Sequence, residues 1–84
     1  MLRSSDEIRI QILKKLSKKG SSSFNQLAVQ LKTGYSTIVK NCQALQRFKF
    51  VMIEKVSKEN SPFKKEYFKV SATKEGLTFL EKIN

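Results

Sequence analysis

Histidine and tryptophan are absent from these 84 residues, cysteine and proline occur once each, and glycine occurs three times. Without histidine, acid–base chemistry near neutral pH loses its commonest group. Zinc and haem sites lose their commonest ligand for the same reason. Cys42 alone can form neither an internal disulfide nor a multi-cysteine metal site. Gly20, Gly34 and Gly76 are too scattered to build a glycine-rich phosphate loop. The seven acids (Asp6, Glu7, Glu54, Glu59, Glu66, Glu75 and Glu81) show no convergent carboxylate motif. The chain is therefore expected to be no enzyme and to hold no metal or cofactor. Apolar runs last only a few residues, so no membrane span is expected. The opening Met1-Leu2-Arg3-Ser4-Ser5-Asp6 lacks the apolar centre of a signal peptide. A reducing cytoplasm is the expected location.

Positive charge dominates what is present. Seventeen Lys and Arg against the seven acids give a formal charge of +10 and a pI near 10.0. Self-repulsion of that size opposes folding, and a polyanionic partner is its usual counterpart. Lysines outnumber arginines by 14 to 3. That bias suits attraction to a phosphate backbone more than bidentate contacts to bases. A hydrophobic share of 39% allows one small core and no large ligand cavity.

The periodicity predicts six elements. A first helix covers 5–19. Ser5 is its cap, Asp6 and Glu7 suit its positive end, and Ile8, Ile12, Leu13 and Leu16 form its apolar face. Lys14, Lys15, Lys18 and Lys19 crowd its last turns, and Gly20 closes it. Ser21-Ser22-Ser23 reads as a turn. A second helix covers 24–32, with Ser23 and Gln26 at capping-box spacing and Phe24, Leu27, Ala28 and Leu31 inward. Gly34 is expected to supply a positive φ in the turn that follows. A third helix covers 36–48, capped by Tyr35 or Ser36, with Ile38, Cys42 and Leu45 inward. Its other side carries Ser36, Thr37, Lys40, Asn41, Ala44 and Arg47. No acid occurs between Glu7 and Glu54, so the second and third helices carry only positive charge. A hairpin over 50–70 and a final helix over 73–84, capped by Thr73, complete the chain.

Two helices joined by a short turn containing glycine, then a basic helix, form a helix-turn-helix. A hairpin after the third helix makes it winged. The expected fold class is α+β, a winged helix-turn-helix of three helices, a β-hairpin wing and a C-terminal helix in one domain over 1–84.

Phe24-Asn25-Gln26-Leu27-Ala28 and Gly34-Tyr35-Ser36-Thr37-Ile38, followed by Leu45, Phe50-Val51 and the stretch from Tyr67 to Gly76, resemble winged-helix transcription regulators of bacteria and archaea. The Tyr67–Gly76 stretch is similar to the strand-to-helix junction of the multiple-antibiotic-resistance and PadR-like regulators. Ile8 to Leu13 resembles their first helix. The resemblance implies a transcription regulator whose third helix enters the major groove while the hairpin touches flanking backbone or minor groove. It also implies a bare DNA-binding domain, of the kind found in small regulators of archaea and their viruses. Two positions depart from the pattern. Lys49 stands where glycine is common after the third helix, and Val39 stands where serine or a charged residue is common.

The expected partner is double-stranded DNA. Tyr35, Ser36, Thr37, Lys40, Asn41 and Arg47 are the candidate contacts on the third helix. Asn41 is suited to pair with adenine, and Lys40 to reach guanine or a phosphate. Lys58, Lys64 and Lys65 are the candidate contacts on the wing, where lysines also guard an exposed edge. Val39 is expected to lie half-buried against the second helix. Leu77, Phe79, Leu80 and Ile83 are candidates for a homodimer contact, to which Met1 and Leu2 could add. No membrane partner and no small-molecule ligand is expected. Two other functions fit the same composition: a non-specific or architectural nucleic-acid binder, and a winged-helix module that binds protein.

Overall fold

A computed structural model describes residues 5–83, with nothing described for the Ser5 side chain. The expected Ser5 cap and any contribution of Met1 and Leu2 lie outside the described residues. Helix α1 (Ser5–Lys19) ends at Gly20, whose φ of 86° and N–H bond to Leu16 O (2.7 Å) close the last turn. Ile8, Ile12, Leu13 and Leu16 are all buried on one side of α1, as their spacing requires. Burial of each such side chain stabilises the fold by about 1.5–3 kcal/mol.

Ser21–Ser23 is a strand, β1, and not a turn. It pairs antiparallel with the later strand β3 (Tyr67–Ala72), Ser22 lying opposite Val70. Serine has little strand preference of its own. The pairing arises because a ready edge lies beside it, and three serines carry no local signal of that edge. Ser23 then caps α2 (Phe24–Leu31) through the expected capping box. The Gln26 N–H donates to Ser23 Oγ (3.1 Å), and the Ser23 N–H donates to Gln26 Oε1 (3.0 Å).

Lys32, and not Gly34, takes the left-handed conformation after α2, with φ 53°. The Lys32 N–H bonds to Val29 O and the Thr33 N–H to Ala28 O, which satisfies the end of the helix. Gly34 has φ −65° and serves as the N-cap of α3 (Tyr35–Arg47), so neither Tyr35 nor Ser36 caps that helix. Helix α3 closes on Lys49, with φ 64°. The Phe50 N–H bonds to Leu45 O and the Lys49 N–H to Gln46 O, both 2.9 Å, a Schellman arrangement. Lysine thus performs at position 49 the turn that glycine performs more easily.

Strand β2 (Val51–Val56) pairs with β3 from Val51–Ala72 to Val56–Tyr67, which gives a three-stranded antiparallel sheet in the order β1-β3-β2. The hairpin therefore runs over 51–72, with strands at 51–56 and 67–72, one residue later at its start and two at its end than the expected 50–70. The tip, 57–66, contains a short 3-10 turn at Lys58–Asn60. Helix α4 (Lys74–Ile83) is capped by Thr73, whose Oγ1 accepts from the Gly76 N–H (3.1 Å) and donates to Lys49 O (2.6 Å).

One core gathers the inward faces of α1, α2 and α3 with Val51, Val70 and Leu80. Gly76 is pressed against the start of β2, where a Cβ would stand 2.1 Å from Phe50 O. The buried stripe of α4 is therefore centred on Gly76 and Leu80, while Leu77 (39% exposed) and Ile83 (43% exposed) face outward. Phe79 stacks on Phe50 at 4.7 Å, and Phe50 in turn meets Phe48 at 5.8 Å.

Candidate nucleic-acid interface

The first turn of a helix leaves backbone N–H groups without helical partners. At α3 the cap is a glycine, so no side chain reaches back to occupy them. Ser36 and Thr37 are exposed beside this end, together with Lys40. Backbone donors, two hydroxyls and an ammonium there make an acceptor-binding end suited to a phosphate. Four exposed residues, Ser36, Lys40, Gln43 and Arg47, follow at spacings of four, three and four and so share one side of α3. Gln43 was missed by the sequence reading, although this spacing from Ser36 and Lys40 would have found it. Gln46 is also exposed, on the flank nearer the sheet.

Asn41 does not belong to that side. It is 4% exposed, its Nδ2 donates to Thr37 O (2.8 Å), and its Oδ1 accepts from Arg9 Nε of α1 (3.1 Å). Both ends of the amide are engaged inside the protein, which corrects the expectation that Asn41 reads adenine. Ala44 is half-buried. Arg9 is itself held by Asp6 at 3.8 Å.

Tyr35 stands at the entrance to α3, 51% exposed, its ring edge-on to Phe24 at 6.0 Å. Phe24 also meets Phe68 of β3 at 6.0 Å, so an aromatic bridge ties α2 and α3 to the wing. Tyr35 shares a cavity of about 410 Å³ with Lys55, Lys65 and Phe68, between the start of α3 and the base of the wing. Val39 is half-buried, as expected, packed on the core and lining a groove with Phe24 of α2, Tyr35, Gln43 and Gln46 and, from the sheet, Ile53 and Phe68.

Lys58, Lys64 and Lys65 are all exposed on the wing. Lys64 is left-handed, with φ 59°. Lys32, Lys49 and Lys64 are the non-glycine residues with positive φ among those described. Lysine thus stands at three exposed turns where glycine or asparagine would carry less strain. At the foot of the wing Lys55 pairs with Glu66 at 3.2 Å, and Phe63 packs edge-on to Tyr67 at 5.0 Å. The exposed ion pair adds little stability. It offsets the charge of one lysine, while Lys58, Lys64 and Lys65 stand exposed nearby.

Cys42 is buried in the core, and burial pushes its thiol up to about 12. A thiol so placed is a small apolar filler. Among the described residues there is no group of three His, Cys, Asp or Glu side chains able to hold a metal. No described helix is long and apolar enough to cross a membrane. Of the dimer candidates, Leu77 and Ile83 are exposed. Phe79 is half-buried on Phe50, and Leu80 belongs to the chain's own core.

Four helices, among them a helix-turn-helix whose third helix has no side-chain cap, and a three-stranded antiparallel sheet with a lysine-tipped hairpin define an α+β winged helix-turn-helix. No family model and no curated protein matches the chain in sequence. Solved structures do match it in shape. The YusO protein of Bacillus subtilis superposes with a TM-score of 0.79 at 18% identity, over 90% of this chain and 50% of that one. The transcriptional regulator BldR of Sulfolobus solfataricus gives 0.77 at 22% identity, over 90% and 50%. The putative transcriptional regulator TA0346 of Thermoplasma acidophilum gives 0.80 at 18% identity, over 93% and 77%. The chain thus spans half the length of the first two and about three quarters of the third. At these identities the likeness is one of fold.

Proposed function

We propose that this chain binds double-stranded DNA as a transcription regulator, with α3 in the major groove and the wing on flanking backbone or minor groove. The observation that carries the reading is the outer side of α3. Ser36, Lys40, Gln43 and Arg47 are exposed in one row beside open N–H groups, on a helix that contains no acid. An ordinary solvated face mixes both signs of charge. This one offers hydroxyl, amide, ammonium and guanidinium donors. Ser36, Thr37 and the helix end hold phosphate, Lys40 and Gln43 reach base edges, and Arg47 meets backbone further along. Tyr35 adds its hydroxyl at the helix entrance, and Lys58, Lys64 and Lys65 add phosphate contacts from the wing. The solved regulators of the same shape favour this use of the fold.

Within this reading the chain is a regulator of the multiple-antibiotic-resistance or PadR-like type, and it acts in the cytoplasm. It binds as a homodimer on a palindromic site, with recognition helices one turn of DNA, about 34 Å, apart. Leu77 and Ile83, apolar and exposed on α4, support that contact together with Phe79.

The test is a binding titration at about 0.15 M salt that compares random duplex with fragments selected from the source genome. A preference of order 10³ or more is expected for a specific regulator. Tight but indiscriminate binding would replace it with an architectural role. Absence of binding to any duplex would leave a protein-binding winged helix.

A further inference from the structure

A second basic surface lies away from the outer side of α3. Lys14, Lys15 and Lys18 of α1 converge with Lys32 at the end of α2 around an open cavity of about 340 Å³, completed by Gln11, Gln30 and Leu31. No residue of that lining is acidic. Helix dipoles account for part of the set, because Lys18 lies in the last turn of α1 and Lys32 follows the last turn of α2. They do not account for Lys14, one turn further back, or for the way two separate elements bring four ammonium groups to one place. Gln30, half-buried, adds an amide to the same lining.

We infer that this seam holds backbone phosphates of the duplex engaged by α3, so that the footprint continues past the start of that helix. The inference rests on the DNA-binding reading. Lys32 precedes Tyr35 by three residues, a reach of at most about 11 Å, so the seam begins beside the phosphate-binding end of α3. Asn41, on the inner side of α3, is the residue that meets α1 through Arg9, so α1 lies behind the outer row. Its lysines are therefore out of reach of a duplex that ends at the groove. They meet one that runs on beyond the helix-turn-helix.

The test compares wild type with a Lys14→Gln, Lys18→Gln, Lys32→Gln triple variant on duplexes of about 12 and about 30 base pairs. The dependence of log Kd on log salt is measured for each pair. A Lys74→Gln, Lys82→Gln variant on α4 controls for net charge, and thermal melting checks that all three proteins are folded. On the long duplex the triple variant is expected to lose about 2–3 units of salt slope, against no change on the short duplex or in the α4 control. Equal slopes for wild type and triple variant on both duplexes, with binding intact, overturn the seam and leave the α3 reading standing. An equal loss on both duplexes, matched by the α4 control, reduces it to net charge. Clustering of duplexes by wild type but not by the triple variant overturns it in favour of a second duplex. Failure of wild type to bind either duplex removes the DNA reading itself.

Discussion

Replacing Asn41 by alanine is expected to weaken the fold and to leave DNA contact on the folded protein unchanged. The amide makes two internal hydrogen bonds, to Thr37 O at 2.8 Å and from Arg9 Nε at 3.1 Å. Removing it deletes both and leaves Arg9, about a third exposed, to find water at the α1–α3 contact. Two such bonds, one to a cation, are together worth about 2–3 kcal/mol. Alanine returns about 0.5 kcal/mol through its higher helix propensity. The net loss of about 2 kcal/mol corresponds to a fall in Tm of about 8–16 °C for a domain of this size. Thermal denaturation followed by circular dichroism reads that shift. DNA affinity measured well below the melting point should then match wild type. An unchanged Tm combined with a loss of affinity would show that Asn41 points outward and reads a base, and would refute the packing argument.

Gly76→Ala is expected to destabilise the chain, because the new Cβ would stand 2.1 Å from Phe50 O, a backbone atom that cannot swing aside. The overpacking costs about 2–3 kcal/mol or more, against about 1 kcal/mol returned by helix propensity, and an unchanged or raised midpoint in a urea melt would contradict it. Lys49→Gly should stabilise by about 0.5–1 kcal/mol by relieving a left-handed lysine at φ 64°, read from the same melts. Burial raises the Cys42 thiol to about 12 from its ordinary value of 9.0, so between these values the unfolded chain loses a proton that the folded chain keeps. Stability from this group is complete below pH 9 and falls as pH rises towards 12, and urea midpoints taken across that range should decline. Iodoacetamide at pH 8 should label Cys42 only as fast as the core opens, and rapid labelling of the native protein would place the thiol at the surface.

The elements most legible in the sequence were those with a strong period or a strong cap. The α1 face, the Ser23–Gln26 capping box, the inward row Ile38–Cys42–Leu45 and the Thr73 cap all follow from local spacing, and all stand in the structure. What escaped depends on contacts between distant segments. Ser21–Ser23 became a strand because β3 offers an edge, and no local pattern announces that. Asn41 lies on the boundary between the inner and outer sides of α3, 100° from its neighbours in sequence. Only the arrival of Arg9 from α1 decides which way its amide turns. On α4 the close approach of Phe50 O to Gly76 sets the buried side, and a glycine carries no apolar signal of it. The left-handed turn after α1 falls at Gly20 as anticipated, but the one anticipated at Gly34 occurs at Lys32 and a further one at Lys49, because exposed lysines can bear a strain that hydrogen-bonded helix ends offset. The convergence of α1 lysines with Lys32 needed the packed helix pair to become visible.

The most direct test of the central claim is to map amide chemical shifts while the protein is titrated with a duplex of about 30 base pairs at about 0.15 M salt. The account predicts perturbation along Tyr35–Arg47 on the side of Ser36, Lys40, Gln43 and Arg47, and around Lys58, Lys64 and Lys65 at the wing tip. Perturbation centred on Leu77 to Ile83 of α4 with α3 silent, or no perturbation at all, would contradict it.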